Sequence, residues 1–250
     1  MRAIMLAAGL GQRLSGGDET LPPKSLLDIG GKSLLDRHLD ILAALGVEEL
    51  VMVLGYHKEE IEAALKARGK QNFVRPIHNP DYRRGSLLSL NRAREALFDP
   101  EGVLFMDADV LYHPRLLEVL VEGEGTLFPY DRDYEPGDEP VKLCLKQGRV
   151  VEFRKKVGEL ARDTEGEWPG FARIGPAEGP LLAKAMETLI GQGRLDDPYE
   201  EAMRAVMLER PQAIGALDVT GIPWIEIDFP ADLERARTEI LPKIAAWRPE

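Results

Sequence analysis

The chain has 250 residues, 44% hydrophobic and 30% charged, which is ordinary for a globular protein and long enough for one large α/β domain. Its formal net charge of −11 argues against a nucleic acid or an anionic membrane as a partner, because either would need a basic face. No apolar run approaches the length of a membrane span, and the single cysteine, Cys144, excludes an intrachain disulfide and favours a reducing cytoplasm.

A buried first strand at residues 3–5 leads directly into a loop of small residues, Leu6-Ala7-Ala8-Gly9-Leu10-Gly11. Two glycines let the backbone adopt positive φ and let amide N–H groups approach a ligand closely. Arg13 and Lys24 add two positive charges beside these amides, and the combination suits the triphosphate of a nucleotide. The alternative is that both glycines only punctuate a strand-to-helix turn. The loop matches neither the P-loop motif nor the dinucleotide fingerprint.

Helical and strand patterns alternate through the first half of the chain. Apolar spacing predicts helices at residues 33–45, 57–68 and 86–97, and strands at residues 50–54, 73–77 and 103–106. The strand at 50–54 is apolar throughout, as expected when both of its faces are covered. This βαβαβ order predicts an α/β fold with a doubly wound, mostly parallel sheet, whose ligands bind at the carboxyl ends of the strands.

The pattern changes after residue 127. Residues 130–140 and 161–169 are polar and are predicted to be loops, and the two runs at 141–145 and 150–153 predict an antiparallel hairpin. Further predicted elements are helices at 180–190 and 199–208, a strand ending at 225–228, and a final helix with Leu233, Ala236 and Ile240 inward. We therefore expect a single domain over residues 1–250. Residues 1–127 form mainly a nucleotide-binding half, and residues 128–228 mainly an acceptor-binding half with a small antiparallel insertion.

Acidic side chains follow two of the predicted strands. Asp107 and Asp109 come directly after the buried strand at 103–106, and in an extended chain both would project to the same side. Carboxylate oxygens of this kind suit Mg²⁺, although a turn or helix-capping role would explain one of the two. Asp228 ends the last strand, and Glu226 alternates with it, either assisting it or facing solvent. Asp232 falls in the first turn of the final helix, where it suits the helix dipole.

Four segments resemble one enzyme family. The ordered string L-A-A-G-x-G-x-R-L at 6–14, followed by Pro23-Lys24, resembles the signature of nucleotidyltransferases that join a nucleoside triphosphate to a phosphorylated sugar or alcohol and release pyrophosphate. Residues 79–90 resemble the base-side segment of phosphocholine-type cytidylyltransferases. Residues 148–155 resemble a hairpin of those enzymes that ends in a phosphate-contacting lysine, and residues 167–171 resemble their acceptor segment. The resemblance implies a Rossmann-like nucleotidyltransferase fold.

The resemblance also implies roles for particular residues. As catalytic groups it implies Arg13, Lys24, Asp109 and Asp228, with Asp109 and Asp228 binding Mg²⁺. For the nucleotide it implies Leu6, Ala7, Ala8, Gly9, Leu10, Gly11, Arg13, Lys24, Asn79, Gly85, Ser86 and Asp107. For the acceptor it implies Asp107, Lys155, Glu167, Trp168, Tyr199 and Glu200. Lys156 competes for the role of Lys155, because Arg154 stands where the family has serine.

Ser86 is also expected to cap the helix that follows it, after a flexible turn at Gly85. Trp168, Phe171 and Tyr199 would form an aromatic cage around a quaternary ammonium group, although ordinary packing explains each of them alone.

These roles predict Mg²⁺-dependent transfer of CMP from CTP to a phosphocholine-like phosphorylated alcohol or a phosphonate. The alternatives are a hexose-1-phosphate nucleotidyltransferase and a molybdopterin guanylyltransferase, although the latter family has a second glycine where Ala8 stands. A non-catalytic nucleotide-binding regulatory protein is the alternative from another class. A homodimer is compatible with the resemblance.

Overall fold

The computed structural model describes residues 1–18 and 20–248, so Glu19 and the last two residues of the predicted domain lie outside the described part. Its strands are β1 (Arg2–Ala7), β2 (Glu49–Leu54), β3 (Val74–His78), β4 (Val103–Asp107), β5 (Val110–Tyr112), β6 (Thr126–Tyr130), β7 (Lys142–Lys146), β8 (Arg149–Arg154), β9 (Thr164–Glu167), β10 (Phe171–Ile174), β11 (Ile214–Asp218) and β12 (Trp224–Glu226). Its α-helices are α1 (Gln12–Ser15), α2 (Leu34–Ala44), α3 (Lys58–Ala67), α4 (Ser86–Arg92), α5 (Arg115–Glu122), α6 (Gly179–Gly191), α7 (Glu200–Glu209), α8 (Pro230–Arg235) and α9 (Leu241–Ala246). Turns of 3₁₀-helix cover Lys24–Leu26 and Arg94–Phe98, and a π-helical turn covers Ala236–Ile240.

A seven-stranded sheet in the order β11-β6-β10-β4-β1-β2-β3 forms the centre of the molecule. The pairs β1–β2, β1–β4, β2–β3 and β6–β11 are parallel, and β10 runs antiparallel to β4 and β6. The predicted α/β fold with a mostly parallel sheet is therefore confirmed. Because β1 is central, the loop that follows it lies at the crevice where ligands bind in such sheets.

Helices cover both faces of this sheet. On β1, Ile4 packs into one hydrophobic cluster with α4, α6 and α7, while its neighbours Ala3 and Met5 pack into another with α2, α3 and α5. All three side chains are fully buried. The alternation follows from the two-residue period of a strand, and burial of one such large apolar side chain is worth about 1.5–3 kcal/mol. The two clusters thus hold the sheet rigid beneath its carboxyl edge.

The second half contributes two smaller sheets. The predicted hairpin is confirmed as β7 paired with β8, and β9 pairs with the other edge of β7. Residues 161–169 were predicted to be a loop, and this is wrong for β9, whose sequence Thr-Glu-Gly-Glu has no apolar alternation and depends on its pairing with β7. The last strand, β12, pairs antiparallel with β5 in a two-stranded ribbon rather than joining the main sheet.

The helix predicted at residues 86–97 is divided into α4 and the 3₁₀ turn that follows it. Its N-cap is Gly85 rather than Ser86, whose hydroxyl accepts a hydrogen bond from Tyr199 N at 3.1 Å. Gly85 is not a flexible hinge either. A Cβ at this position would lie 2.1 Å from the carbonyl oxygen of Asp197, so glycine is needed for close packing of two backbones. Within the described residues, no helix is both long and apolar enough to cross a bilayer.

Candidate active site

The N-terminal loop and two distant acidic segments meet at the carboxyl edge of the main sheet. Lys24 Nζ lies 2.9 Å from Asp109 Oδ2 and 2.7 Å from Asp228 Oδ1. Arg13 Nη2 lies 2.8 Å from Asp228 Oδ2. These residues are up to 215 positions apart in the chain, so their contact depends on the whole fold. The predicted convergence is confirmed, whereas the catalytic role of each residue stays a prediction.

The loop after β1 leaves room for both a ligand and the Lys24 side chain. Gly11 adopts φ +62°, and a Cβ there would come 3.3 Å from Lys24 Cγ, so the lysine stem lies directly against this glycine. Gly9 is exposed but does not have positive φ, so the expected left-handed conformation holds for Gly11 only. Among the residues that the structure describes, the amides of Leu10 and Gly11 donate no hydrogen bond, which leaves them available to an anion.

Backbone contacts fix the two metal-binding candidates relative to each other. Ile227 N donates to Asp109 O at 3.0 Å, which ties the end of β12 to the turn after β4. Asp232, in the first turn of α8 as predicted, accepts hydrogen bonds from Asp228 N at 3.0 Å and Phe229 N at 2.8 Å. Asp232 therefore caps the helix and orients the backbone that carries Asp228.

A third carboxylate joins the predicted pair. Oxygens of Asp109, Glu226 and Asp228 lie within 4.8 Å of one another. The Glu226 side chain is accessible to solvent, but it lines a cleft whose protein atoms partly desolvate its carboxyl group. This desolvation and the neighbouring Asp109 and Asp228 raise its pKa to about 8. Such an all-oxygen donor set fits Mg²⁺. In the sequence, Glu226 was marked only by its two-residue spacing from Asp228. That spacing was compatible both with a role in the site and with exposure to solvent.

The Lys24 ammonium lies within this acidic environment. Burial lowers the pKa of Lys24, but Asp109 and Asp228 outweigh burial and raise the pKa above its ordinary value. Only 16% of the lysine side chain is exposed, and the two carboxylates are 22% and 12% exposed. Charges with so little solvent around them are weakly screened. Lys24 is therefore a permanent cation in the centre of the site.

Asp107 takes partners different from those of Asp109. Tyr199 Oη donates to Asp107 Oδ2 at 2.5 Å, and Asp107 is not a member of the carboxylate cluster. Burial, and then the charge of Asp109, raise the pKa of Asp107 well above its ordinary range. Asp107 and Asp109 therefore contact different partners, and the chain leaves the extended conformation, on which the expectation of a shared side depended, after β4. Whether Asp107 binds nucleotide or acceptor stays a prediction.

A buried histidine supports the turn between the two aspartates. His38 in α2 is fully buried, with Nε2 at 3.1 Å from Ala108 O and Nδ1 at 3.2 Å from Tyr112 Oη. A carbonyl oxygen only accepts, so Nε2 carries the proton and the tyrosine hydroxyl donates to Nδ1. Burial lowers the pKa of His38 to about 4, so the ring is neutral at pH 7. The sequence placed His38 within the predicted helix at 33–45 but did not predict its contact with Ala108.

A cleft of about 890 Å³ extends from the carboxylate cluster toward the acceptor-side residues. Glu167 lines this cleft, and burial together with the charge of Asp131 raises its pKa to about 7. Lys155 Nζ lies 3.4 Å from Glu139, which also pairs with Arg13, and the Lys155 charge acts on Glu226. Lys156 is 77% exposed and pairs with Asp138, and both of these acidic partners line the cleft. These contacts favour Lys155 over Lys156 as the lysine on the site.

Glu200 packs behind the cleft beside Asp107, and burial raises its pKa. Its carboxylate oxygen Oε2 is buried and has no hydrogen-bond partner among the described residues. Its predicted contact with an acceptor is untested.

The predicted aromatic cage is wrong. Trp168 and Phe171 belong to different hydrophobic clusters, on opposite faces of the main sheet. Trp168 is 4% exposed, and its indole N–H donates to Phe171 O at 2.6 Å. Tyr199 packs on Trp168 and Phe105 and uses its hydroxyl for Asp107. Ordinary core packing therefore explains these rings, and Trp168 has no surface to offer an acceptor.

The side chain of Asn79 also serves the fold. It is fully buried, donates to Ser89 Oγ at 3.0 Å and accepts from Asp81 N at 3.0 Å. Because the side chain is fully buried, it has no accessible group for a nucleobase, so its expected contact with the base is wrong for the side chain. The remaining loop residues, Leu6, Ala7 and Ala8, range from half-buried to buried around the end of β1. Their contact with a nucleotide stays a prediction.

Sequence relatives match nearly all of the chain. A protein from Rubrobacter xylanophilus named bifunctional IPC transferase and DIPP synthase is 33% identical over 247 residues, covering 96% of this chain and 52% of the relative. A CMP-5'-(3-aminopropyl)phosphonate synthase from Streptomyces rubellomurinus is 27% identical, covering 94% of this chain and 38% of the relative. The chain thus spans about half or less of the length of these two curated relatives.

Solved structures share the fold. The CTP:phosphocholine cytidylyltransferase of Streptococcus pneumoniae matches with a TM-score of 0.74 at 20% identity, covering 96% of this chain and 98% of that one. The inositol-1-phosphate CTP transferase of T. maritima matches with a TM-score of 0.75 at 21% identity, covering 100% of this chain and 98% of that one. The family model for the MobA-like NTP transferase domain matches residues 3–153, from β1 through β8. This chain belongs to the MobA-like NTP transferase family.

Proposed function

We propose that the protein transfers CMP from CTP to a small phosphorylated alcohol or a phosphonate and releases pyrophosphate, with Mg²⁺ as its cofactor. The observation that carries this proposal is the meeting of Arg13, Lys24 and three carboxylates beside a loop with free amides. Cations and amides suit a triphosphate, and clustered carboxylates suit the metal that accompanies it.

The choice of CTP and of the acceptor class is supported by the relatives. The two structural neighbours are a CTP:phosphocholine cytidylyltransferase and an inositol-1-phosphate CTP transferase. The Streptomyces relative is named for a CMP-linked aminophosphonate. Each of these acceptors presents a phosphate or phosphonate oxygen on a small organic group. The cleft of about 890 Å³ beside the carboxylate cluster has room for such a molecule.

In the proposed reaction, an acceptor oxygen attacks the α-phosphorus of CTP in line and pyrophosphate leaves. The acceptor oxygen is already an anion, so no residue has to remove a proton and no covalent enzyme intermediate forms. The residues act by positioning and by charge neutralisation. The amides of Leu10 and Gly11 hold the triphosphate, Arg13 pairs with the departing β- and γ-phosphates, and Lys24 pairs with the α-phosphate or the acceptor.

Asp109, Glu226 and Asp228 would hold Mg²⁺. The three carboxylate oxygens lie close enough to share one ion, and the charges of Lys24 and Arg13 relieve part of their mutual repulsion. When bound, Mg²⁺ supplies charge neutralisation for the α-phosphate as negative charge develops there. The same arrangement argues against a purely regulatory nucleotide-binding protein, which has no need of this set of carboxylates.

Pyrophosphate release tests the proposal. The protein is incubated with Mg²⁺ and each of the four nucleoside triphosphates, against phosphocholine, inositol 1-phosphate, 2-aminoethylphosphonate and glucose 1-phosphate. We expect release with CTP and at least one of the first three acceptors. Release only with glucose 1-phosphate would favour the hexose-1-phosphate alternative. Molybdopterin is added as a fifth acceptor, and activity only with GTP and molybdopterin would favour the guanylyltransferase. No release with any pair would reject the proposal.

A further inference from the structure

The Lys24 ammonium lies between the carboxylates of Asp109 and Asp228, where the proposed function places the metal ion. We propose that the Lys24 ammonium and the divalent cation compete for the same oxygens of Asp109 and Asp228, so that the cation binds tightly only once the triphosphate has drawn Lys24 away. This inference rests on the proposed function. It makes Lys24 a switch that couples nucleotide binding to metal binding.

The competition follows from the contacts of the ammonium. Lys24 Nζ lies 2.9 Å from Asp109 Oδ2 and 2.7 Å from Asp228 Oδ1, and oxygens of these two residues belong to the cluster that spans 4.8 Å. An ammonium at that position occupies the space between the carboxylates. A dication placed beside it would be repelled strongly, because all three side chains are mostly buried and solvent screens them weakly.

The Lys24 ammonium has an alternative position beside the loop that follows β1. Its aliphatic stem lies against Gly11. A Cβ atom at Gly11 would be 3.3 Å from Lys24 Cγ and 3.5 Å from Lys24 Cε. Rotation of the last bonds of this flexible stem carries Nζ from the carboxylates to the loop that carries the amides of Leu10 and Gly11. A triphosphate bound to those amides would offer the ammonium new oxygens. Lysine suits this exchange, since its charge is compact and its donors rotate freely.

Arg13 makes the same exchange possible from the other side. Its guanidinium forms ion pairs with Asp228 and with Glu139, which itself lies 3.4 Å from Lys155 Nζ. Phosphate oxygens arriving between these cations would replace the carboxylates as their partners. Both cations then leave Asp228, and its oxygens become available to the metal. Because coupling between two ligands is reciprocal, the metal must tighten nucleotide binding by the same factor.

Metal binding to the nucleotide-free protein tests this directly. Mn²⁺ is titrated into wild type, Lys24→Met, Lys24→Arg and Lys32→Met, and free Mn²⁺ is read by electron paramagnetic resonance. We expect Lys24→Met to bind Mn²⁺ on the order of tenfold to a hundredfold more tightly than wild type, because a charge between the ligands is gone. Lys24→Arg keeps that charge and should bind as weakly as wild type. Lys32→Met, which loses only an exposed ion pair with Asp40, should match wild type as well.

A second measurement uses only the wild-type protein, so the test does not depend on a variant that folds. CTP binding is measured by calorimetry in EDTA and in saturating Mn²⁺, and we expect at least about tenfold tighter binding with the metal. Equal Mn²⁺ affinity of wild type and Lys24→Met, or equal CTP affinity with and without Mn²⁺, would overturn the inference. If the wild type releases pyrophosphate in either of those cases, the proposed function survives. Absence of Mn²⁺ binding in every variant, with and without CTP, would instead remove the metal site and the proposed function with it.

Discussion

The buried His38 makes the stability of the protein depend on pH in a way that can be calculated. Burial lowers the pKa of the folded-state ring from 6.5 to about 4. Between these values the unfolded chain binds more protons than the folded chain, so the stability that a neutral ring provides is complete above pH 6.5 and is lost as the pH falls toward 4. One pKa unit corresponds to about 1.4 kcal/mol, so the folded state should lose about 2 kcal/mol between pH 8 and pH 5 from this ring alone.

The assay is the free energy of unfolding by urea at several pH values, for wild type and for His38→Gln. The carboxyl groups of Glu226 and Glu167 in the cleft act in the opposite direction. Burial raises the pKa of Glu226 to about 8 and of Glu167 to about 7, and their contribution to stability is lost as the pH rises through those values. Both proteins contain Glu226 and Glu167, so the contributions of these carboxyl groups cancel when the two free energies of unfolding are subtracted. The His38→Gln substitution should lower the free energy of unfolding by a constant amount, because the hydrogen bonds to Ala108 and Tyr112 are lost. The pH-dependent contribution of the His38 ring adds to this constant difference.

We expect the stability advantage of wild type over His38→Gln to shrink by about 2 kcal/mol from pH 8 to pH 5. His78→Gln, at an exposed position, controls for the loss of a histidine as such. A stability difference between wild type and His38→Gln that stays constant across this range would refute the reasoning, because it would mean that the folded ring takes up its proton as readily as the unfolded one.

Three further predictions concern packing and capping near the site. Gly85→Ala places a Cβ 2.1 Å from a backbone oxygen and should lower the free energy of unfolding by about 1–3 kcal/mol, whereas Gly158→Ala, with open space around it, should change it little in the same urea titration. Trp168→Phe should lower the free energy of unfolding by about 1–3 kcal/mol, because the indole hydrogen bond and part of the buried side-chain volume are lost. The KM for the acceptor should not change, and a large rise in this KM would indicate that Trp168 binds the acceptor. Asp232→Ala should cost about 1 kcal/mol and reduce kcat for pyrophosphate release, because Asp228 loses its backbone anchor; an unchanged kcat would show that Asp228 does not need this support.

Local patterns were sufficient for the first half of the fold. Helices α2 and α3 and strands β2 and β4 lie within a residue or two of their predicted bounds, because each has a clear apolar period and a capping or turn residue at its ends. Strands β9 and β10 were not predicted, since β9 is polar and β10 is short, and both depend on partners distant in sequence. The antiparallel insertion of β10 into an otherwise parallel sheet is a tertiary property that no local pattern carries.

The site was predictable where motif residues themselves make the contacts. Arg13, Lys24, Asp109 and Asp228 meet as expected, since the ends of strands in such a sheet share one edge. The aromatic cage failed because sequence spacing does not tell which face of a sheet a ring occupies once the chain bends between Trp168 and Phe171. Division of the chain into nucleotide and acceptor halves, and the homodimer, stay predictions.

Pyrophosphate release by an Asp228→Asn variant tests the central claim most directly. Asparagine keeps the shape of the side chain but removes the charge that meets Lys24 and Arg13. With CTP, Mg²⁺ and the preferred acceptor, we predict a loss of about a hundredfold or more in kcat, while Asp40→Asn, which removes an exposed carboxylate paired with Lys32, stays at the wild-type rate. An Asp228→Asn protein that turns over as fast as wild type would contradict the claim that these carboxylates and cations form the active site.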